Sequence, residues 1–309
     1  MKQSRRLGQL MIISGATLWG LSGPMIQWFF QHSEITSIDY LIVRLWIAGI
    51  FILGFLHFKK VPIFQLWKHP KDVIQLLLFS IIGMLGGQYV FIETVRISNA
   101  VTATLFQFLG PVLITIWVSL QNKKLPTSLQ LLAVLAALFG TFFLITNGNA
   151  ESIVLSNQAI IFGILTAVTF AFYTLQPNSL IKKWGTSIIV GWGMLLGGIV
   201  LFLLQPSFSL SNMIHHLTMG TGSMLILIII SGTLSFALYF GSLKYLSPME
   251  TSILSSIEPL VAALVSIIWL KETFGVFQLV GGMFIILAVV FLTIPEKEIQ
   301  PKMVSKRAS

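Results

Sequence analysis

QYVFIETVRISNAVTATLFQFLGPVLITIWVSLQNKKLPTSLQLLAVLAALFGTFFLIT, residues 88–146, overlays FALYFGSLKYLSPMETSILSSIEPLVAALVSIIWLKETFGVFQLVGGMFIILAVVFLTI, residues 236–294, at a constant offset of 148 without a gap. Pro111 falls on Pro259, Arg96 on Lys244, Lys123 on Lys271, Gln130–Leu131 on Gln278–Leu279 and Phe143–Leu144 on Phe291–Leu292. Gly15 falls on Gly163 at the same offset. Identities are few, and the weight lies in landmarks that keep their places along whole apolar segments. If each copy holds an odd number of membrane spans, the two copies lie upside down relative to each other.

The rest of the chain fits a membrane. It is 309 residues long, 55% hydrophobic and only 9% charged, with a mean hydropathy of +0.90; a soluble domain carries roughly 25% charged residues. The net charge of +9 sits in short connections rather than in a patch, so it reads as a topology signal and not as a nucleic-acid surface. No cysteine is present, which excludes disulfides, thiolate metal sites and cysteine nucleophiles. The first apolar stretch is too long for a signal-peptide core and is expected to remain as a span.

A spanning helix needs about 20 mostly apolar residues. Ten segments qualify, near 8–30, 38–58, 73–95, 99–121, 127–146, 157–181, 187–205, 222–245, 248–270 and 274–294. The expectation is an all-α membrane protein of ten transmembrane helices arranged as two inverted five-helix repeats, 8–146 and 155–294. A basic, disordered cytoplasmic tail, 295–309, follows. With the N-terminus inside, sixteen Lys and Arg residues face the cytoplasm and two, Arg96 and Lys271, face outward, with Arg44 inside a span. That bias predicts a multi-pass protein of the plasma membrane with both termini cytoplasmic.

Polar groups inside spans mark where chemistry would sit. Thr104, Gln107, Pro111 and Thr115 share one helical face of the fourth segment, and Ser252, Ser255 and Pro259 repeat it on the ninth. Both prolines remove a backbone hydrogen bond and should kink their helices. Glu258 lies near the bilayer centre, where a carboxylate costs roughly 2.5–3.5 kcal/mol; it would recognise an ammonium group, carry a proton, or serve structure by bonding a freed carbonyl. Glu93 is spaced to pair with Arg96, and Tyr89 shares their face. Arg44 either snorkels to Asp39 or reaches a cavity to hold a carboxylate. Trp19 and Ser22 of the first segment, and Thr166, Thr169, Tyr173 and Gln176 of the sixth, line equivalent faces. Gly83–Gly87 reads as a close-packing surface. No Walker loop, metal cluster or nucleophile–base pair is present in the sequence, so neither a metal nor a cofactor is expected, and an enzyme is not.

Gly15, Trp19–Gly20, Arg44, Pro111, Glu258–Pro259, Lys271–Glu272, Gln278 and Gly281–Gly282 together resemble the EamA-type members of the drug/metabolite transporter superfamily. The resemblance covers about residues 8–294. It implies a ten-helix inverted repeat around a central cavity that exports amino acids, metabolites or toxic organic cations. One departure is visible: the acid kept as Glu272 in the second half is replaced by Lys123–Lys124–Leu125 in the first. The functional expectation is a secondary active transporter working by alternating access. Its substrate would be a small organic metabolite such as an amino acid, with a lipophilic cation or drug as the alternative and a channel less favoured. Substrate contacts are expected from Trp19, Arg44, Tyr89, Gln107, Tyr173, Phe236, Tyr239, Ser252, Ser255 and Glu258, and kinks from Pro111 and Pro259. The expected partners are a small-molecule substrate, coupling protons and the lipid bilayer, with no nucleic acid and a homodimer left open.

Overall fold

Long runs of Leu, Ile, Val, Ala and Phe satisfy their backbone within helices and turn their side chains outward, the arrangement a bilayer demands. The computed structural model describes residues 2–122, 126–146, 148–149, 156–271 and 275–293, and among these there is helix and no strand. Besides short helical turns at Gln65–Lys68 and Leu210–His215, the helices are α1 (Lys2–His32), α2 (Ser37–Phe58), α3 (Pro70–Ile97), α4a (Ala100–Gln107), α4b (Gly110–Asn122), α5 (Ser128–Thr146), α6 (Asn157–Trp184), α7 (Thr186–Leu204), α8 (Met219–Ser242), α9a (Pro248–Leu254), α9b (Ile257–Leu270) and α10 (Val276–Thr293). Lys123, Lys124, Glu272 and the basic tail 295–309 lie outside the described residues.

Among the described residues, six helices are long and apolar enough to cross a membrane: α2, α3, α6, α7, α8 and the α9 pair. The sequence reading counted ten. The difference at the fourth segment has a physical origin, because its helix is broken into pieces of 8 and 13 residues. Large apolar side chains on these helices stand exposed, among them Phe51 (71%), Leu203 (72%) and Ile268 (79%). Only a bilayer or a partner covers such a surface.

Local sequence explains the boundaries. Thr36 caps α2, accepting from the amide of Asp39 at 3.1 Å while donating to its carboxylate at 2.8 Å. Ser247 and Glu250 form a capping box at α9a, and Thr218 with Thr221 does so at α8. Gly185, at φ +89°, makes the tight link from α6 to α7 that an L side chain would resist. Within α3, residues Phe79–Gly86 widen into a π-helical stretch; a Cβ on Gly83 would lie 3.1 Å from Tyr173 Cβ, so this stretch packs closely on α6, as its small residues suggested.

The repeat is visible in the packing. The breaks at Phe108–Leu109 and Ser255–Ser256 fall within one residue of equivalent places, each shortly before a proline. α1 lies against α8 and the α9 pair, and its equivalent α6 lies against α3 and the α4 pair. The equivalent helices α2 and α7 pack on each other in opposite directions: Gly49 abuts Leu195, Gly191 abuts Leu53, and Gly198 abuts Trp46. α5 and α10, also equivalent, lie side by side.

Candidate functional site

Pro259 has no N–H to give, so the helix at Ser255 cannot continue and a new one starts at Ile257. The Ser255 carbonyl accepts from the Glu258 amide at 2.9 Å, three residues on instead of four. Glu258 thereby sits in the first turn of a fourteen-residue helix, where the aligned peptide dipoles favour a negative charge. The side chain is 2% exposed, and the Gln107 Nε2 donates to its two oxygens at 3.0 and 3.3 Å. Gln107 closes α4a, so the two broken helices meet through this carboxylate.

Around the pair lies a cavity of about 40 Å³ lined by Trp19, Ser22 and Ile26 of α1, Arg44 of α2, and Gly87, Gln88 and Phe91 of α3. Gln107, Tyr173 of α6, Phe236 of α8 and Glu258 complete it. Arg44 is 5% exposed, and its Nη1 donates to the Tyr40 hydroxyl at 3.2 Å. Of the two courses open to Arg44 in the sequence, the structure takes the cavity; Asp39 is occupied with its helix cap. Gly232 makes room for the guanidinium, since a Cβ there would lie 2.3 Å from Nη2. Arg44 and Glu258 line one cavity without pairing: the ion pairs among the described residues are Arg5–Glu250, Arg96–Glu93 and Lys183–Asp72.

The two halves differ at the position of this acid. Gly110 stands where Glu258 stands in the second half, and a Cβ on Gly110 would lie 2.4 Å from the Phe170 ring. The position equivalent to Phe170 is Ser22, which faces the cavity. One half thus pairs a glycine with a phenylalanine and is filled; the other pairs an acid with a serine and stays open.

One wall of the cavity is aromatic. Trp19 packs edge-on to Phe236 at 4.9 Å and against Tyr239 at 5.1 Å, and Tyr173 touches Phe236, Tyr239 and Phe240. The Tyr239 hydroxyl is bonded to Thr174 Oγ1 at 2.6 Å and is fully buried behind this wall, so Tyr239 supports the lining and does not reach the cavity.

Three expected contacts lie elsewhere. Ser252 and Ser255 are fully buried and donate to the carbonyls of Met249 and Ser252 at 2.9 and 2.6 Å. Hydroxyls on a helix return to their own backbone unless a neighbour competes. Tyr89 lines a different cavity of about 330 Å³, with Ile38, Leu85, Leu201 and Gln205. Glu93 is more than a surface partner of Arg96: it is 5% exposed, accepts from Arg96 at 2.8 and 3.1 Å, and also receives the Ser37 hydroxyl, joining α2 to α3. Sequence reasoning missed Gln88, Phe91 and Ile26 as cavity lining. The signal for Gln88 was a carboxamide inside an apolar run.

Known proteins resemble the chain along most of its length. The EamA-like transporter family matches residues 6–146 and again 157–294. An uncharacterized inner membrane transporter of Salmonella typhimurium, YicL, is 35% identical over 298 residues, covering 95% of this chain and 97% of its own. An uncharacterized transporter of Bacillus subtilis, YyaM, is 22% identical over 224 residues, 71% of this chain and 72% of that one. A solved crystal structure superposes with a TM-score of 0.71 over 93% of this chain and 96% of that one at 15% identity, a likeness of fold. Two family matches that together span both halves, and a relative this close along its whole length, lead to one conclusion: the chain is a membrane protein of the EamA-like transporter family.

Proposed function

We propose that this transporter carries a small zwitterion, such as an amino acid, through the Arg44–Glu258 cavity by alternating access. The observation that carries the reading is that Arg44 and Glu258, both buried, line the same cavity without pairing with each other. Each buried charge is costly without a partner. A substrate with an ammonium for Glu258 and a carboxylate for Arg44 supplies both partners at once. The Arg fork suits a carboxylate in particular.

All ten apolar segments cross the membrane, in inverted units of residues 8–146 and 155–294, and both termini are cytoplasmic in the plasma membrane. The antiparallel packing of α2 on its equivalent α7 supports the inversion, because a twofold axis lying in the membrane plane reverses each helix it exchanges. In that orientation the aromatic wall closes the cavity toward the cytoplasm, and the Arg5–Glu250 and Lys183–Asp72 pairs tie helices together at the same end. Rocking one half against the other breaks these ties and opens the cavity inward, and transport runs outward. Glu258 also exchanges protons with the gradient that drives export.

A lipophilic cation is the second reading, favoured by Trp19, Phe91, Tyr173 and Phe236 beside one acid. Arg44 opposes it, since a buried guanidinium repels a cationic ligand. Reconstituted vesicles preloaded with unlabelled amino acids separate the two. Saturable counterflow of a labelled amino acid, with no uptake of tetraphenylphosphonium, is the expected result. Uptake of tetraphenylphosphonium alone would overturn the zwitterion reading, and unitary conductance steps would overturn the carrier.

A further inference from the structure

Gln88 is a cavity-lining carboxamide whose two polar atoms are both unbonded among the described residues. It lies on α3 between Gly87 and Tyr89, is 5% exposed, and lines the cavity together with Arg44, Gln107 and Glu258. Its Oε1 and Nε2 are both buried, and neither has a hydrogen-bond partner among the described residues. The contrast with Gln107 is direct: that carboxamide is spent on Glu258. Nearby hydroxyls are spent as well, since Ser22 donates to the Trp19 carbonyl at 3.0 Å.

A primary carboxamide offers two donors and an acceptor, and burying it unpaired costs about as much as a lost hydrogen bond for each atom. Helix α3 cannot turn it away cheaply. Gly87, its neighbour, is pressed against Tyr173, where a Cβ would lie 3.2 Å from the ring, and the π-helical stretch immediately before fixes the phase of this face. A hydroxyl or another carboxamide answers both a donor and an acceptor. A carboxylate would accept only, and an ammonium would donate only.

We infer that Gln88 is the specificity-determining residue of the cavity, and that the substrate is a zwitterion bearing an uncharged hydroxyl or carboxamide side chain. This rests on the zwitterion reading and narrows it. The charged ends are held by Arg44 and Glu258, and Gln88 reads the third substituent. A site built to hydrogen-bond a ligand group rejects the analogue lacking it far more strongly than an apolar pocket rejects an added methylene.

The test uses isosteric pairs in reconstituted vesicles: threonine against valine, and asparagine against leucine, for the wild-type protein and for Gln88→Met, which keeps length and removes both polar atoms. The wild-type protein is expected to carry threonine and asparagine at least about tenfold more efficiently than their partners, within the range one lost buried hydrogen bond supports. Gln88→Met should bring each ratio to near one, slowing the polar member and relieving the penalty on the apolar member. Equal loss of both members, with Gln88→Asn no better, would make Gln88 a packing residue and overturn this inference while the transporter reading stands. Wild-type ratios near one would also overturn it. Counterflow of no zwitterion at all would bring down the broader reading together with this one.

Discussion

Gly20→Ala tests the contact on which the site's geometry depends. Gly20 of α1 faces the break in the ninth segment, and a Cβ there would lie 2.6 Å from the Glu258 carbonyl oxygen and 2.6 Å from Val261 Cβ. The first of these neighbours is backbone, so no rotamer change relieves it, and α1 must retreat from α9b by most of an ångström to reach ordinary contact. Overpacking of this kind costs about 1–3 kcal/mol. The same retreat carries Trp19 away from Phe236 and pulls at the 3.0 Å bond between Gln107 and Glu258, so transport should fall along with stability. Gly23→Ala supplies the control one turn along the same helix: its nearest neighbour, Ala100 Cβ, would lie at 3.5 Å, an ordinary contact. The assay is thermal unfolding of purified protein in detergent beside counterflow in vesicles. Gly20→Ala should lower the unfolding midpoint by several degrees, and Gly23→Ala should stay within about 0.5 kcal/mol of wild type. Equal midpoints for the two variants would refute the close approach of α1 to Glu258.

Gly232→Ala should leave the unfolding midpoint nearly unchanged but weaken substrate binding, because the atom its Cβ displaces is the far end of the Arg44 side chain, 2.3 Å away; titrated thermal shifts check both halves. Ser252→Ala and Ser255→Ala should each change stability by no more than about 1 kcal/mol and leave transport rates intact, as their hydroxyls serve only their own helix; a selective loss of substrate affinity would return them to the site. Glu93→Gln should cost roughly 1–3 kcal/mol, because it weakens a buried acceptor shared by Ser37 and Arg96, and its unfolding midpoint should lose the salt dependence that this pair gives the wild type. Lys183→Ala should cost about 0–1 kcal/mol at low salt and less at high salt, since its side chain is 52% exposed.

Much of the bundle was legible in the sequence because apolar length and proline position dictate it. The breaks before Pro111 and Pro259, and the meeting of Gln107 with Glu258, follow from a missing N–H at equivalent places in two copies. Trp19, Tyr173, Phe236 and Arg44 were readable as deep aromatic or charged groups at membrane depth. Which face of a helix meets the cavity was not readable. Tyr89 and Gln88 are neighbours in the chain whose directions differ by about 100° on a helix of 3.6 residues per turn. Nothing local says that α3 turns Gln88, and not Tyr89, toward α1. Serines at helical spacing gave a polar stripe that the backbone consumes. The exchange of Gly110 and Phe170 for Glu258 and Ser22 needed the structure, because it joins α4 to α6 in one half and α9 to α1 in the other. Residues far apart in sequence decide that only one of two equivalent sites stays open.

The most direct test of the central claim is binding of the two halves of one zwitterion, read as the ligand-induced rise in unfolding midpoint. Threonine without its carboxylate is 1-amino-2-propanol, and threonine without its amine is 3-hydroxybutyrate. If Arg44 and Glu258 hold opposite ends of the substrate, Arg44→Gln abolishes the shift from 3-hydroxybutyrate and keeps that from 1-amino-2-propanol, and Glu258→Gln does the reverse. Loss of both shifts in either variant, or of neither in both, would contradict it.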